Sequence, residues 1–255
     1  MIRISIKKSV KSFLIWIWIK ILRNKNQNYL FLIAHPRSGS TLLMHILCSN
    51  PDIGGYGEYF ITYDDQDKLI EAEFDIRRKS RSLIKKQHYI ANQINAPRLI
   101  PRIDLLENNN RIIILIRNAK SALMSMKALN LSKKSNLSDK QLFEVYCESL
   151  RFMLRLTREL SPLKWICVEY ESLVDNSHDT LKRVSSFLKL NTPLKTDYKR
   201  QNFTLKAGDR SDNIVRFKIV KTESKVLNFN VTLLNEAQEH YIKTLSYIKS
   251  QRHIG

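Results

Sequence analysis

Residues 29–43, YLFLIAHPRSGSTLL, constrain the fold of this chain more than any other stretch. Six apolar residues at 29–34 read as a strand buried on both faces, and a short turn, HPRSGS, leads into a helix starting near Thr41. A strand, a small-residue turn and a helix N-terminus make an anion site, because free N–H groups point outward and the helix dipole favours negative charge. Gly39 lets the backbone approach an anion closely, and Ser38, Ser40 and Thr41 offer hydroxyl donors. Arg37 adds a planar cation suited to phosphate or sulfate oxygens.

This loop differs from that of nucleotide hydrolases, which need Gly-Lys-Ser/Thr, with lysine on the outer phosphates and the hydroxyl on Mg²⁺. Here Ser40 follows Gly39, and the cation, Arg37, precedes the glycine. The next strong strand, 111–116, ends in Arg117, where an ATPase would carry a metal-holding aspartate. The pattern points to phosphate recognition without metal. Strand-like runs at 29–34, 111–116 and 165–169 alternate with helical stretches at 41–49, 98–108, 119–130, 139–160 and 177–189. That alternation predicts an α/β fold: a P-loop-like central parallel sheet flanked by helices in three layers, with ligands at the carboxyl ends of the strands. The charged segment 64–86 reads as helical, a wall on the acceptor side. Residues 228–251 read as a closing helix, with Leu233, Leu234, Ala237, Tyr241, Leu245 and Ile248 at core spacing.

PRSGSTLL (36–43) and RIIILIRNAKSALMSM (111–126) together resemble the sulfotransferases that use 3′-phosphoadenosine 5′-phosphosulfate, PAPS. The motif style is similar to carbohydrate, tyrosyl-protein and bacterial members. The resemblance covers roughly 29–60 and 95–190 and rests on three ordered blocks, the third being WICVEYESLV (165–174). It implies that Arg37, Ser38, Gly39, Ser40, Thr41 and Leu42 hold the 5′-phosphosulfate. It further implies that Arg117 and Ser125 hold the 3′-phosphate and that Tyr170 lies near the adenine. Arg117 leaves a strand end and Ser125 lies about two turns along the next helix, on the same side. Relatives carry a Lys-x-Pro element where this chain has Asn95-Ala96-Pro97, which leaves Arg98 or Arg102 to substitute. The loop at 206–217 resembles the family's nucleotide-covering loop faintly, with Arg216 as its phosphate contact. The domain split expected is a basic, apolar N-terminal helix at 1–26 and a sulfotransferase domain at 27–255. The product of the cofactor is adenosine 3′,5′-bisphosphate, and no metal is implied.

Residues 49–58, SNPDIGGYGE, read as a turn-rich loop folding back over the phosphosulfate and presenting Glu58 at its end. By the resemblance, a glutamate here is general base on the acceptor hydroxyl, and a carboxylate within reach suits that role. Glu58 and Arg37 are therefore the catalytic candidates, with His88 the rival base and a surface-paired Glu58 the plainer alternative. His35 packs beside the loop or contacts phosphate; His45 reads as a helix-face residue. His178, His240 and His253 fall outside the matched blocks. Three scattered cysteines (48, 147, 167) offer neither metal-ligand spacing nor a disulfide framework, which fits a reducing compartment.

A formal charge of +19 favours an anionic cofactor and an anionic acceptor or membrane surface. No nucleic-acid module or aromatic stacking platform accompanies it, so nucleic acid is not the expected partner. Residues 7–23 join a basic lead to an apolar run, 13–19, far short of the about twenty residues a spanning helix needs. Trp16, Trp18 and flanking lysines suit a helix lying in a membrane interface; docking on the protein's own core is the alternative. The chain thus reads as cytoplasmic and peripheral at the inner membrane face, sulfating a hydroxyl on a carbohydrate or glycolipid. The second reading is a non-catalytic, basic nucleotide-binding protein of the same fold at a membrane surface.

Overall fold

The computed structural model describes residues 2–251 except 62, 64, 97, 98, 100, 207–211 and 222–226, with backbone alone for 2–9 and 212. The chain runs α1 (Ile2–Ile21), β1 (Asn28–Ala34), α2 (Ser40–Ser49), β2 (Ile53–Glu58), α3 (Gln66–Lys79), β3 (Tyr89–Ile94) and α4 (Ile103–Glu107). It continues through β4 (Arg111–Ile116), α5 (Ala119–Ser132), α6 (Asp139–Glu159), β5 (Trp165–Glu169), α7 (Tyr170–Asp175), α8 (Ser177–Leu188) and α9 (Val231–Ser250). The five strands form one parallel sheet in the order β2-β3-β1-β4-β5.

The apolar runs of β1 and β4 form central strands because both their faces are covered. Leu30, Leu32, Ile113 and Leu115 face a core shared with α2 and α8. Phe31, Ile33, Ile112 and Ile114 face the opposite core, with α3, α5, α6 and α9. Ser138 opens α6 with a capping box to Gln141, and Asn118 caps α5 by accepting from the Ser121 N–H at 2.9 Å. The chain leaves β1 onto one face, through α2, and leaves neighbouring β4 onto the other, through α5. The crevice above the carboxyl ends of this pair is a topological switch point, where ligands of open α/β sheets bind.

The stretch 53–58 corrects the expectation of a loop: it is the edge strand β2, paired in parallel with β3. Its glycines serve packing. A Cβ at Gly55 would press on Cys48 Sγ and Met44 Cε at 2.7 Å. At Gly57 the backbone has φ +69°, and the register slips between Gly55 and Glu58, re-aiming the strand end. The helix expected over 98–108 is described only as the five-residue α4; Pro97 and Arg98 lie outside the described residues. The strand expected at 165–169 is β5, and Tyr170, the residue after it, opens α7.

Helix α1 packs on α3 through polar contacts. Lys11 Nζ donates to Glu71 and Asp75 at 2.7 Å each, and Arg23 Nε donates to the fully buried Glu73 at 2.9 Å. Trp18 is buried edge-on against Phe74. No helix among the described residues is long and apolar enough to cross a membrane.

Candidate active site

The loop between β1 and α2 carries two left-handed residues, Arg37 (φ 63°) and Gly39 (φ 90°). Gly39 takes the N-cap position of α2 and has no side chain with which to cap it, so the first-turn amides are left for a ligand. A Cβ at Gly39 would overlap the Tyr170 ring, so only glycine lets α7 close against the loop. Ser38 Oγ is buried without a hydrogen-bond partner, an orphaned polar atom at the centre of the loop. Ser40 and Thr41 are buried in the first turn of α2.

Three elements bring the expected phosphate ligands together. Arg37 Nε donates to Ser125 Oγ on α5 at 3.0 Å, and Arg117 Nη1, at the end of β4, donates to the Arg37 carbonyl at 3.0 Å. The Arg117 guanidinium lies over the Tyr170 ring, 4.1 Å from its centre. Burial, with the Arg37 charge as a further cause, pulls the Arg117 pKa below its ordinary value. The mutual effect of the two positive charges favours an anion bound beside them.

His35 fastens the loop to β4. Its Nδ1 lies 2.9 Å from the Pro36 carbonyl, and its Nε2 accepts the Arg117 N–H at 3.0 Å, so the ring is the neutral Nδ1–H tautomer. Full burial pushes its pKa down to about 4. Both ring nitrogens are thereby engaged within the protein. Tyr146 O–H donates to the Arg117 carbonyl at 2.8 Å, and Glu171 accepts from the Asn118 N–H at 3.2 Å, bracing the same strand end. Sequence reasoning missed Tyr146, Asn118 and Glu171; the adjacency of Asn118 to Arg117 was the one available signal.

Glu58 ends β2, two strand spacings or about 10 Å across the sheet from β1. Burial raises its pKa above the ordinary carboxylate value, opposed by a hydrogen bond from the Asn95 side chain. The next residue is pinned: Asn92 Oδ1 accepts the Tyr59 N–H at 3.0 Å, Asn92 Nδ2 donates to the Tyr59 carbonyl at 3.2 Å, and Tyr59 O–H donates to Asp75 at 2.7 Å. His88 lies at the opposite end of the sheet. It precedes the first residue of β3 and touches Asn28 at the start of β1, a strand length of about 20 Å from the crevice. His45 is on the buried face of α2, against the Thr41 carbonyl at 2.8 Å and Thr204 Oγ1 at 2.9 Å. Leu42 is half-buried in the first turn of α2. Arg216 is exposed at the end of a 3₁₀ turn, Asp212–Arg216, and the preceding 207–211 lie outside the described residues, as does His253. Arg102 is exposed and paired with Asp104 at 3.1 Å. Among the described residues no three His, Cys, Asp or Glu side chains gather as a metal site.

The family model for the sulfotransferase domain matches residues 27–243. A Caenorhabditis briggsae protein described as a "Putative protein-tyrosine sulfotransferase" is 27% identical over 191 residues, 64% of this chain and 66% of that protein, just under two thirds of its length. Among solved structures, the sulfotransferase domain of the Synechococcus PCC 7002 olefin synthase superposes with a TM-score of 0.55 at 16% identity, covering 89% of this chain and 95% of that one. A sulfotransferase from Alicyclobacillus acidocaldarius gives 0.54 at 12% identity, covering 91% and 97%. Mouse sulfotransferase SULT7A1, solved with PAP, gives 0.51 at 14% identity, covering 91% and 89%.

Proposed function

The chain belongs to the sulfotransferase family, and on that premise we propose that it transfers a sulfuryl group from PAPS to an acceptor hydroxyl on a carbohydrate or glycolipid. The observation that carries this reading is the convergence of Arg37, Arg117, Ser125 and Tyr170 at the switch point of the sheet. The crevice suits a ligand with two separated anionic groups and a planar base. The amides of the Gly39 turn and the orphaned Ser38 hydroxyl suit the 5′-phosphosulfate, with Ser40, Thr41 and Leu42 in the adjoining first turn. Arg117 and Ser125 suit the 3′-phosphate, and Tyr170 the adenine. Arg216 is assigned an outer phosphate contact.

When bound, PAPS supplies a sulfuryl group whose bond to the 5′-phosphate oxygen breaks as the bond to the acceptor oxygen forms. Glu58 takes the acceptor proton; its burial raises its affinity for that proton above that of an exposed glutamate. Arg37 and the loop amides stabilise charge developing on the leaving phosphate oxygen, an electrostatic contribution fixed before reaction. The rigid mounting of both on one sheet aligns acceptor and leaving group. The distance of His88 from the crevice disfavours it as base. We place the protein in the cytoplasm, at the inner membrane face, with an acceptor presented there. Its likeness to a protein described as a tyrosyl-protein enzyme makes tyrosyl hydroxyls the second acceptor class to screen.

The test is calorimetric titration with adenosine 3′,5′-bisphosphate, with 5′-AMP and Mg·ATP as controls. Metal-independent binding that requires the 3′-phosphate is expected, with the Arg117→Ala variant at least tenfold weaker, the loss of one charge-assisted contact. Equal affinity for 5′-AMP, or a preference for Mg·ATP, would overturn the assignment.

A further inference from the structure

Helix α1 buries Trp18 and turns the Lys11 ion pairs inward but leaves Phe13 and Trp16 outward, unlike a helix that serves only as a core element. Lys11 and Arg23 are spent on Glu71, Asp75 and Glu73 of α3. Facing solvent are Val10 (52% exposed), Phe13 (60%), Leu14 (49%), Trp16 (57%) and Ile21 (73%). At 100° per residue these five and half-buried Ile17 occupy one continuous face about 160° wide. Phe13 and Trp16 stack on it at 6.3 Å between ring centres, and exposed Lys20 lies within it, with exposed Lys25 just beyond.

We propose that this face docks on an anionic lipid bilayer. An aromatic and aliphatic stripe edged by lysine is the composition that settles at a headgroup boundary, and the chain's +19 charge complements an anionic leaflet. The docking face is also wired to the site. Asp75 accepts from Lys11 of α1 and from the Tyr59 hydroxyl, at 2.7 Å each, and Tyr59 directly follows Glu58. Resting on the reading of Glu58 as base, this link holds the membrane helix and the acceptor side in one rigid unit, which suits an acceptor borne by the bilayer.

The experiment is co-sedimentation of the full chain with vesicles of phosphatidylcholine alone and with phosphatidylglycerol added. The wild type and a Phe13→Ser/Trp16→Ser variant, which leaves every α1–α3 ion pair in place, are compared. Bisphosphate calorimetry on both proteins serves as the fold and site control. Expected are binding to the anionic vesicles, at least tenfold weaker in the variant, and a blue shift of wild-type tryptophan emission. The shift reports Trp16, because Trp18 and Trp165 are already buried. Unchanged bisphosphate affinity in the variant with lost vesicle binding supports the proposal whatever the acceptor is. Failure of the wild type to bind anionic vesicles, equal binding by the variant, or a dimer in sedimentation equilibrium that the variant abolishes would each overturn it.

Discussion

At the scale of the residue, Glu58, in its proposed role as base, is poised between two demands. A base must be ionised to accept a proton, whereas burial at the end of β2 disfavours the ionised form, and the Asn95 amide offsets only part of that. Its folded pKa therefore lies above its unfolded one. The stability it contributes is fully present below the unfolded pKa and is lost as pH rises through the folded value. Glu58→Gln keeps the shape and removes the charge. We expect sulfuryl transfer to fall about 10²- to 10⁴-fold, the range for loss of a general base, with bisphosphate affinity unchanged. At neutral pH the variant should melt at or above the wild-type temperature, and the two should converge in acid. In the wild type, kcat should decline on acidification at a pH above the ordinary glutamate range. Transfer unaffected by the substitution would remove Glu58 from the chemistry.

At the scale of the element, the His35 ring is what joins the β1–α2 turn to β4. Its pKa, pushed down to about 4, makes the linkage opposite in sign to that of Glu58. The unfolded chain binds a proton that the folded chain refuses between about pH 6.5 and 4, so stability falls as pH falls through that window, by about 3 kcal/mol in total. Thermal melts across this range should show that loss, and His35→Gln, which has no titrating ring, should flatten it; an equally steep profile in the variant would place the acid sensitivity elsewhere. Elements whose residues speak locally were legible in the sequence. β1, β4 and β5 are short apolar runs, and Arg37, Arg117 and Ser125 stand at motif spacing before and after them. β2 was not, because Gly54, Gly55 and Gly57 suggest a turn, while the need for them comes from Gln87, Met44, Cys48 and Phe203, residues distant in sequence or on another element. The amide clasp of Asn92 on Tyr59 and the Lys11–Asp75–Tyr59 chain were equally hidden, since each pairs side chains from separate elements. Apolar content marked α1 as amphiphilic in character, but which side docks is decided by Glu71, Glu73 and Asp75 on α3.

At the scale of the whole molecule, 43 lysines and arginines against 24 aspartates and glutamates leave the folded chain working against its own charge. The crevice concentrates that repulsion, with the buried Arg117 guanidinium on the Arg37 backbone carbonyl and the half-buried Arg37 guanidinium on the Ser125 hydroxyl. A polyanionic ligand seated there relieves both the local and the global excess, so ligand binding and stability should be linked more strongly than shape alone requires. By mass action, adenosine 3′,5′-bisphosphate at 100 times its Kd should stabilise the fold by about 2.7 kcal/mol. For a chain of this size that amounts to a rise in Tm of roughly 5–10 °C. Salt separates the contributions, because the screening length drops from about 10 Å at 0.1 M to about 3 Å at 1 M. At a fixed ligand concentration the shift should shrink as salt is added, through a weaker Kd, while the ligand-free protein itself becomes more stable as its self-repulsion is screened. 5′-AMP, lacking the 3′-phosphate that our proposal assigns to Arg117 and Ser125, should give a smaller shift with a shallower salt dependence. Identical shifts and identical salt slopes for the two nucleotides would mean that the Arg117 and Ser125 side chains are paired for the fold and not for a ligand.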